Sequence, residues 1–300
     1  MRLNQIRDLV AVIESGSIRA AARKLELSQP AVTKSVRGLE AELHLQLLKR
    51  TPQGIVPTPA GRALLVRARA IQAELRKAEE EMAQLAGSDV GSVAFGVGPL
   101  AAALIVPDAI RQFREQFGDS RIRIVEGYAP ALIAQVRDES LDFALGPRFE
   151  TTLDPAIAFR PLFREQWVVV ARRGHPLSGA HSLAQLVDAE WLRVGSGSPG
   201  GWLEPTFAAA ALPLPRRLIS CDSMNVLVGV LTKTDMVGML GARMLAMPAV
   251  GDLLQRLPVR EPMPVATIGM FTRVDPPLTS IATAMAKAVT GVARRLARPL

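Results

Sequence analysis

Hydrophobic residues near the start of the chain recur at helical spacing and form three stripes. In chain order these are Leu3, Ile6, Val10 and Ile13; Ile18, Ala21, Ala22 and Leu25; and Val32, Val36, Leu39 and Leu43. Gly16 can end the first helix, Ser17 and Ser28 can cap the next two, and Pro30 falls in a first helical turn, where its missing N–H does no harm. The pattern predicts a helix over residues 3–15 and then two helices separated by a tight turn.

A β-hairpin and a longer helix are predicted next. The apolar pairs at 47–48 and 55–56 flank the turn sequence Thr-Pro-Gln-Gly at 51–54, which is typical of a hairpin. Thr58 and Pro59 then suit the N-cap and first turn of a helix. The three helices and the hairpin together predict a winged helix-turn-helix.

The long helix carries a narrow apolar stripe. Its positions alternate at spacings of four and three residues: Leu64, Ala68, Ile71, Leu75, Ala78, Met82 and Leu85. At about 1.5 Å per residue, a helix ending near Gly87 is roughly 40 Å long. A stripe this narrow suits a coiled coil between two copies of the chain, because one helix alone cannot bury it. Packing on another part of the same chain is the alternative.

From Gly91 onward, strands and helices alternate. Strands are predicted at 92–97, 121–125 and 143–145, and helices at 104–117 and 130–139. After a crossover at 160–162, strands are predicted at 167–171, 191–194 and 236–240, with a helix at 224–231. The chain then crosses back at 265–272 and ends in a helix over about 278–296. This alternation predicts a parallel, doubly wound sheet in two lobes. A ligand site is expected beyond the carboxyl ends of the strands, between the lobes.

Positive charge is concentrated at the start of the chain. The first 70 residues carry a net charge of +7, out of +8 for the whole chain. Because DNA-binding segments neutralise phosphates, this distribution favours a nucleic-acid partner. A basic patch for a membrane surface would give the same charge, but without the helix-turn-helix pattern beneath it.

The polar face of the third helix supplies the candidate DNA-reading residues. Amide and guanidinium groups match the major-groove edges of adenine and guanine, and a threonine methyl can touch the thymine methyl. We predict base contacts from Gln29, Thr33, Lys34 and Arg37, with Ser28 and Pro30 at the helix start, and phosphate contacts from Arg19, Lys49 and Arg50. The alternative is a helical bundle with a solvated basic face, in which Lys49 and Arg50 are ordinary surface cations.

Signals for other functions are weak. Residues 195–200 satisfy G-x-G-x-x-G after a predicted strand, but Pro199 interrupts the motif and no clean long helix follows, which disfavours a dinucleotide site. The three histidines and Cys221 lack metal-ligand spacing, and there is no G-x-S-x-G motif. Cys221 is interpreted as a small buried residue. We expect no cofactor, metal or catalytic residue.

Residues 19–61, RAAARKLELSQPAVTKSVRGLEAELHLQLLKRTPQGIVPTPAG, resemble the N-terminal domain of LysR-type transcriptional regulators without a gap. The pieces that begin at Leu141 (LDFAL), His175 (HPL) and Asp235 (DMVGML) echo, less tightly, the effector domain of that family, which is similar to periplasmic binding proteins. The resemblance implies regulators that dimerise through the linker helix and usually form homotetramers. It predicts a winged helix-turn-helix at 1–58, a linker helix at 59–87 and an effector domain at 91–300, with one lobe from 91–161 and 268–300 and the other from 162–267.

The effector site is predicted from strand ends and from the loops that line the cleft of the family. The candidates are Pro99, Leu100, Ala101, Ala102, Tyr128, Arg148, Ser196, Ser198 and Trp202. Ser196 and Ser198 are either hydroxyl donors to the ligand or plain turn residues. Many family members have Ser or Thr at the first of these helix starts to hold a carboxylate, whereas this chain has Pro-Leu-Ala-Ala. The more apolar wall favours a ligand with a sizeable hydrophobic or aromatic part.

The leading hypothesis is a transcriptional regulator that binds an interrupted inverted repeat in double-stranded DNA and responds to a small molecule, an organic acid or aromatic compound. We expect it to be cytoplasmic and not an enzyme, with RNA polymerase as a further partner and no membrane association, since no apolar run could span a bilayer and the N-terminus has no signal-peptide core. The alternative is a solute-binding or small-metabolite enzyme domain with an incidental basic extension.

Overall fold

A computed structural model of the chain describes residues 1–52, 54–85, 91–148, 154–194 and 201–296; within the helix that ends at Leu85, the side chains of 76, 77, 80, 81 and 83–85 lie outside the description. The chain divides into two compact units, residues 1–91 with 134–141 and residues 92–133 with 142–300. No helix among the described residues is both long and apolar enough to cross a lipid bilayer.

The first unit contains the predicted helices and hairpin. Its elements are α1 (Leu3–Ser15), α2 (Ile18–Lys24), α3 (Gln29–Leu43), β1 (Leu48–Thr51), β2 (Gly54–Pro57) and α4 (Pro59–Leu85). Gly16 ends α1 in the left-handed conformation, and the Ser28 hydroxyl oxygen accepts a hydrogen bond from the Ala31 N–H at 3.3 Å, which caps α3. Ser17 precedes α2 but its side chain makes no cap hydrogen bond, so that part of the prediction is wrong.

The inner face of α1 differs from the predicted stripe. Leu3 is 54% exposed, whereas Leu9 and Val12 are fully buried against α2 and α3. Ile6 and Val10 are also buried, but in a separate cluster with Ala68 of α4. Helix α1 is therefore buried on two faces, because it lies between the α2–α3 pair and α4, and a single stripe could not describe it.

The hairpin is confirmed and is fixed to the helices by backbone hydrogen bonds. Strands β1 and β2 pair antiparallel, with Thr51 opposite Gly54. The Glu40 carboxylate of α3 accepts hydrogen bonds from the N–H groups of Leu47 and Leu48 at 2.8 and 3.1 Å, and the Ile55 N–H donates to the Gly16 carbonyl at 2.8 Å. These contacts hold the wing in a defined position beside α3.

The second unit is a mixed α/β fold. Its strands are β3 (Ser92–Val97), β4 (Arg121–Glu126), β5 (Phe143–Arg148), β6 (Ile157–Arg172), β7 (Glu190–Val194), β8 (Arg217–Cys221), β9 (Val237–Gly241), β10 (Leu254–Arg256) and β11 (Val265–Arg273). Its helices are α5 (Pro99–Leu104), α6 (Val106–Arg114), α7 (Ala129–Arg137, which continues into the first unit), α8 (Leu203–Ala209), α9 (Met224–Leu231), α10 (Ala242–Leu245), α11 (Pro248–Gly251) and α12 (Ser280–Leu296). The helix predicted over 104–117 corresponds to the shorter helix α6, and a separate helix, α5, precedes it and ends at Leu104.

The sheet has the strand order β4-β3-β5-β11-β6-β9-β7-β8, with β10 also paired to β6. The pairs β3/β4, β3/β5, β7/β8 and β7/β9 are parallel, as predicted, but β11 and β6 run antiparallel to their neighbours. The predicted crossover at 160–162 lies within the continuous strand β6, which changes partner from β11 to β9 a few residues further on. One long strand thus pairs with β11 through its first half and with β9 and β10 through its second.

Two hydrophobic clusters stabilise this unit. One surrounds the stacked rings of Phe95 and Phe143, 5.0 Å apart, and includes Met285 of α12. The other contains Trp191 and Phe207, whose rings meet edge to face at 5.3 Å. Burial of such aromatic pairs contributes both apolar area and a favourable ring geometry.

A buried ion pair joins strand β6 to helix α10. Glu165 of β6 is fully buried, and its carboxylate accepts hydrogen bonds from the backbone N–H of Arg243 at 2.9 Å and from its guanidinium at 2.8 Å. The same guanidinium donates to the carbonyl oxygens of Arg164 and Leu296. With its hydrogen-bonding capacity met in this way, the charge of Glu165 is tolerated in the interior.

Candidate functional site

The exposed face of α3 forms a shallow concave surface. It is lined by Gln29, Pro30, Thr33, Lys34, Arg37 and Gly38. Proline in the first turn and the Ser28 cap fix where the helix begins, and Val32, Val36 and Leu39 hold its opposite side in the core. The Thr33 hydroxyl donates to the Gln29 carbonyl at 2.8 Å, so its donor is already used within the helix. The structure therefore gathers the predicted base-reading residues on one accessible surface.

The cations predicted to contact DNA are exposed. Arg19, Lys34, Arg37, Lys49 and Arg50 form no salt bridge with any residue that the structure describes. By contrast, Lys24 on the same unit pairs with Glu14 at 3.1 Å. Since surface cations without a protein partner remain available to phosphates, this distribution suits a polyanion. Ser28 differs from them, because its oxygen is engaged in capping α3.

The apolar stripe of α4 divides into two parts. Leu64 packs on the core of the helix-turn-helix, Ala68 is fully buried, and Ile71 packs beside it. Ala68 thus packs within its own chain, as the alternative of packing on the same chain predicts, whereas Leu64 and Ile71 are only partly buried. Leu75 and Met82 are 42% and 58% exposed, and Ala78 is exposed as well. The side chain of Leu85 lies outside the described residues.

The second unit contains a cavity of about 170 Å³ at the carboxyl ends of its parallel strands. Of the predicted effector residues, Pro99, Leu100, Ala101, Tyr128 and Trp202 line it. The loop of residues 195–200, with Ser196, Ser198 and the G-x-G-x-x-G motif, lies outside the described residues. The cavity occupies the strand ends at which a ligand site was expected.

Two predicted residues do not line the cavity. Ala102 follows the lining residues in α5, but its side chain packs on the hydrophobic core instead. Arg148, at the end of β5, has its guanidinium 5.4 Å from the ring centroid of Phe159, in a cation–π contact. The cavity therefore gives no support to these two predictions, because Ala102 packs on the core and an aromatic ring holds the arginine.

Several lining residues were missed by the sequence analysis. They are chiefly Trp167, Trp191, Arg193, Glu204, Asp222, Met224, Met239 and Met244. Most lie on strands or helices that the antiparallel crossings of β6 and β11 bring to the cavity. One signal was available: the chain has only three tryptophans and one tyrosine, and all four line this cavity.

Among the polar groups of the cavity, Arg193 has hydrogen-bond partners, whereas the Tyr128 hydroxyl has none among the described residues. Arg193 forms an ion pair with Glu204, and its Nε donates to the Ser220 hydroxyl at 2.8 Å. The Tyr128 hydroxyl is buried and has no hydrogen-bond partner among the described residues. Burial raises the pKa of Tyr128 to about 12, and electrostatic interaction with the acidic groups of Cys221, Asp222 and Glu126 adds to this effect. The phenol is thus neutral and free to bond at physiological pH.

Metal and thiol chemistry find little support in the described residues. No group of three or more His, Cys, Asp or Glu side chains among them could hold a metal ion. Both ring nitrogens of His175 are occupied, Nδ1 accepting from the Leu177 N–H and Nε2 facing the Asp235 carbonyl, each at 3.0 Å. Cys221 is partly buried and its Sγ lies 3.5 Å from the Ser223 carbonyl oxygen, so the prediction of a small packed residue is partly met.

Comparison with known families assigns both units. Residues 3–62 match the family described as "Bacterial regulatory helix-turn-helix protein, lysR family", and residues 86–294 match the "LysR substrate binding domain". The first match contains the concave face of α3 and the wing. The second contains every residue that lines the cavity.

Curated relatives and solved structures agree with this assignment. The HTH-type transcriptional regulator GalR of Pseudomonas putida is 33% identical over 271 residues, which are 90% of this chain and 68% of that protein. TdcA of Escherichia coli is 27% identical over 85% of this chain and 81% of its own. CbnR, a LysR family transcriptional regulator, superimposes with a TM-score of 0.71 at 18% identity, over 98% of this chain and 99% of its own. The structure of CbnR in complex with its target DNA gives a TM-score of 0.69 at 19% identity, over 97% of this chain and 100% of CbnR. The chain therefore belongs to the LysR family of transcriptional regulators, and it carries both the helix-turn-helix and the substrate-binding domain of that family.

Proposed function

We propose that the protein binds an interrupted inverted repeat in double-stranded DNA and that a small molecule in the cavity modulates this binding. The observation that carries the proposal is the concave face of α3, where the predicted base-reading residues lie together beside unpaired cations. Two copies would each insert α3 into a major groove, with half-sites related by the symmetry of the dimer.

The residues divide into two roles. Gln29, Thr33, Lys34 and Arg37 would contact base edges near the start of α3, while Arg19, Lys49 and Arg50 would contact phosphates on either side. The Thr33 methyl, rather than its engaged hydroxyl, is the group available to a thymine. Ser28 and Pro30 would act by fixing the position of the helix start.

The cavity would hold an organic acid or an aromatic compound as effector. Its predominantly apolar lining, with a few polar groups, is typical of small-molecule sites. Ser196 and Ser198 would add hydroxyl donors from the neighbouring loop. The effector would act by favouring one of two assemblies of the subunits, a shift of population that changes DNA affinity.

The same proposal includes the oligomeric state of the protein, its location in the cell and its partners. We infer a homodimer or homotetramer that pairs through the exposed part of the α4 stripe, works in the cytoplasm, contacts RNA polymerase and does not bind membranes. The domain division of 1–58, 59–87 and 91–300, with lobe boundaries near 161 and 267, is retained as part of the proposal. We propose binding without conversion of the ligand, because the curated relatives are regulators.

A gel-shift titration on the intergenic DNA beside the gene tests the proposal. The Arg37→Ala variant should lose about 1–3 kcal/mol of binding to the specific site if the guanidinium is bidentate to guanine, with little change on random duplex. Specific binding should also weaken steeply with salt, because each neutralised phosphate releases counterions.

Arg294→Ala provides the matched control, because it removes the same charge from an exposed position on α12 in the second unit. It should leave specific binding unchanged. Equal losses for Arg37→Ala on specific and random DNA would assign Arg37 to phosphate contact instead. A full-length protein that prefers no genomic fragment would favour the alternative, a solute-binding or small-metabolite enzyme domain.

A further inference from the structure

Every tryptophan and tyrosine of the chain lines the cavity of the second unit. Trp167, Trp191, Trp202 and Tyr128 are the complete set of tryptophans and tyrosines in 300 residues, and each lines this one cavity. The rings of Trp167 and Trp202 are 4.7 Å apart and tilted by 35°. Aromatic walls of this kind bind flat rings through offset and edge contacts as well as through apolar burial.

The size of the cavity limits the ligand to about one ring. Its volume is about 170 Å³. An apolar protein cavity of about 150 Å³ is known to hold one benzene molecule, so a single ring with small substituents fits.

The charges around Tyr128 disfavour a carboxylate at that end of the cavity. Arg193, the one basic side chain in the described lining, is already paired with Glu204, while Asp222 adds a negative charge that acts on Tyr128. The neighbouring segment 195–200 contains no ionisable side chain in its sequence. An anionic group placed here would therefore find no unpaired basic side chain in the described lining.

The Tyr128 hydroxyl requires a partner. A buried hydroxyl that makes no hydrogen bond has lost its hydration without compensation, and native structures contain few of them. Because its phenol stays protonated, it can both donate to and accept from a ligand. A neutral group with a donor and an acceptor, such as a hydroxyl, satisfies both Tyr128 and the negative surroundings.

We propose that the effector is a single-ring aromatic compound bearing a ring hydroxyl, with the hydroxyl bonded to Tyr128 and the ring held beside Trp167 and Trp202. The inference deepens the proposed function, since it rests on this cavity being the effector site. It narrows the proposed class of effector from organic acids and aromatic compounds to hydroxylated aromatic compounds.

Matched probe ligands test the proposal on the full-length protein by calorimetry, with tryptophan fluorescence as an independent signal of occupancy. The pair phenol and benzene isolates the hydroxyl, and the pair phenol and cyclohexanol isolates the ring. We expect phenol to bind about five-fold more tightly than benzene, the gain of one hydrogen bond. Phenol should bind more tightly than cyclohexanol and quench the tryptophans.

The Tyr128→Phe variant assigns the hydroxyl contact. It should reduce the affinity for phenol to that for benzene while leaving the affinity for benzene unchanged. Thr290→Val is the control, because it removes a buried hydroxyl of α12 that bonds the Ala286 carbonyl and does not line the cavity. It should preserve the five-fold preference.

Three results would overturn the proposal: equal affinity of the wild-type protein for benzene and phenol, a preference that survives in Tyr128→Phe, or no binding of any aromatic probe at millimolar concentration. The wild-type comparison remains decisive even if the variant fails to fold. The gel shift without any ligand is measured in parallel. Loss of specific DNA binding there would count against the proposed function and not against the ligand class.

Discussion

Tyr128 is a residue whose environment can be measured directly, because it is the one tyrosine in the chain. Burial raises the pKa of its phenol from 10.0 to about 12, so the folded state holds the proton more tightly than the unfolded state does. Below pH 10 the phenol is neutral in both states. Between pH 10 and 12 the unfolded chain loses the proton first, and the free energy of unfolding falls as the pH rises.

Absorbance titration of tyrosinate measures this prediction. The midpoint should lie near pH 12 in the native protein and near pH 10 in denaturant. A bound hydroxyaromatic ligand should hinder the native titration further, because it occupies the phenol. A native midpoint near 10 would show that Tyr128 is solvated and that its hydroxyl needs no ligand.

At the scale of elements, the junction between the wing and α4 depends on close backbone approach. The Thr58 hydroxyl oxygen caps α4 by accepting from the Gly61 N–H at 3.0 Å, and a Cβ on Gly61 would overlap the carbonyl oxygen of Leu47. An alanine at position 61 therefore would fit only if α4 moved away from the wing.

Gly61→Ala should lower the free energy of unfolding by about 1–3 kcal/mol, as expected for overpacking at a site that cannot relax. Gly229→Ala in α9 is the matched comparison, because no atom lies within contact distance of a Cβ built there. It should raise stability by about 0.5–1 kcal/mol through helix propensity. Urea denaturation measures both, and a Gly61→Ala variant as stable as the parent would refute the close approach.

For the whole molecule, the two parts of the α4 stripe predict where copies of the chain meet. The buried part, with Ala68, belongs to the core of the first unit, whereas Leu75 and Met82 are exposed, and we expect this exposed part to contact a second copy. An exposed apolar stripe on a long helix is a typical coiled-coil seam.

Met82→Lys should therefore shift the protein toward monomer in sedimentation experiments and weaken binding to the inverted repeat, because a charge in a seam must be desolvated. Val66→Lys, at an exposed position of α4 outside the stripe, should leave the assembly unchanged. If both variants sediment like the parent, the copies pair through another surface.

The sequence alone was sufficient for elements whose stabilising contacts are close along the chain. Helix α3 begins at Gln29, with Ser28 as its cap and Pro30 in its first turn as predicted. Helix α9 has its predicted bounds, and the wing forms between its two apolar pairs. Caps, turns and periodic stripes are properties of neighbouring residues, so the sequence expresses them directly. The grouping of Gln29, Thr33, Lys34 and Arg37 on one surface follows for the same reason, since a helix fixes which residues share a side.

What only the tertiary structure decided depends on contacts between distant residues. The two burial faces of α1, the continuous strand β6, the rotation of Arg148 onto Phe159 and the convergence of three tryptophans with Tyr128 each join segments far apart in the chain. Local periodicity contains no information about which partner a strand or side chain will meet. The sequence determined that the chain has a DNA-reading helix and a two-lobed α/β unit, while the folded structure decided which side chains form the walls of the ligand cavity, because cavity walls arise from packing between elements.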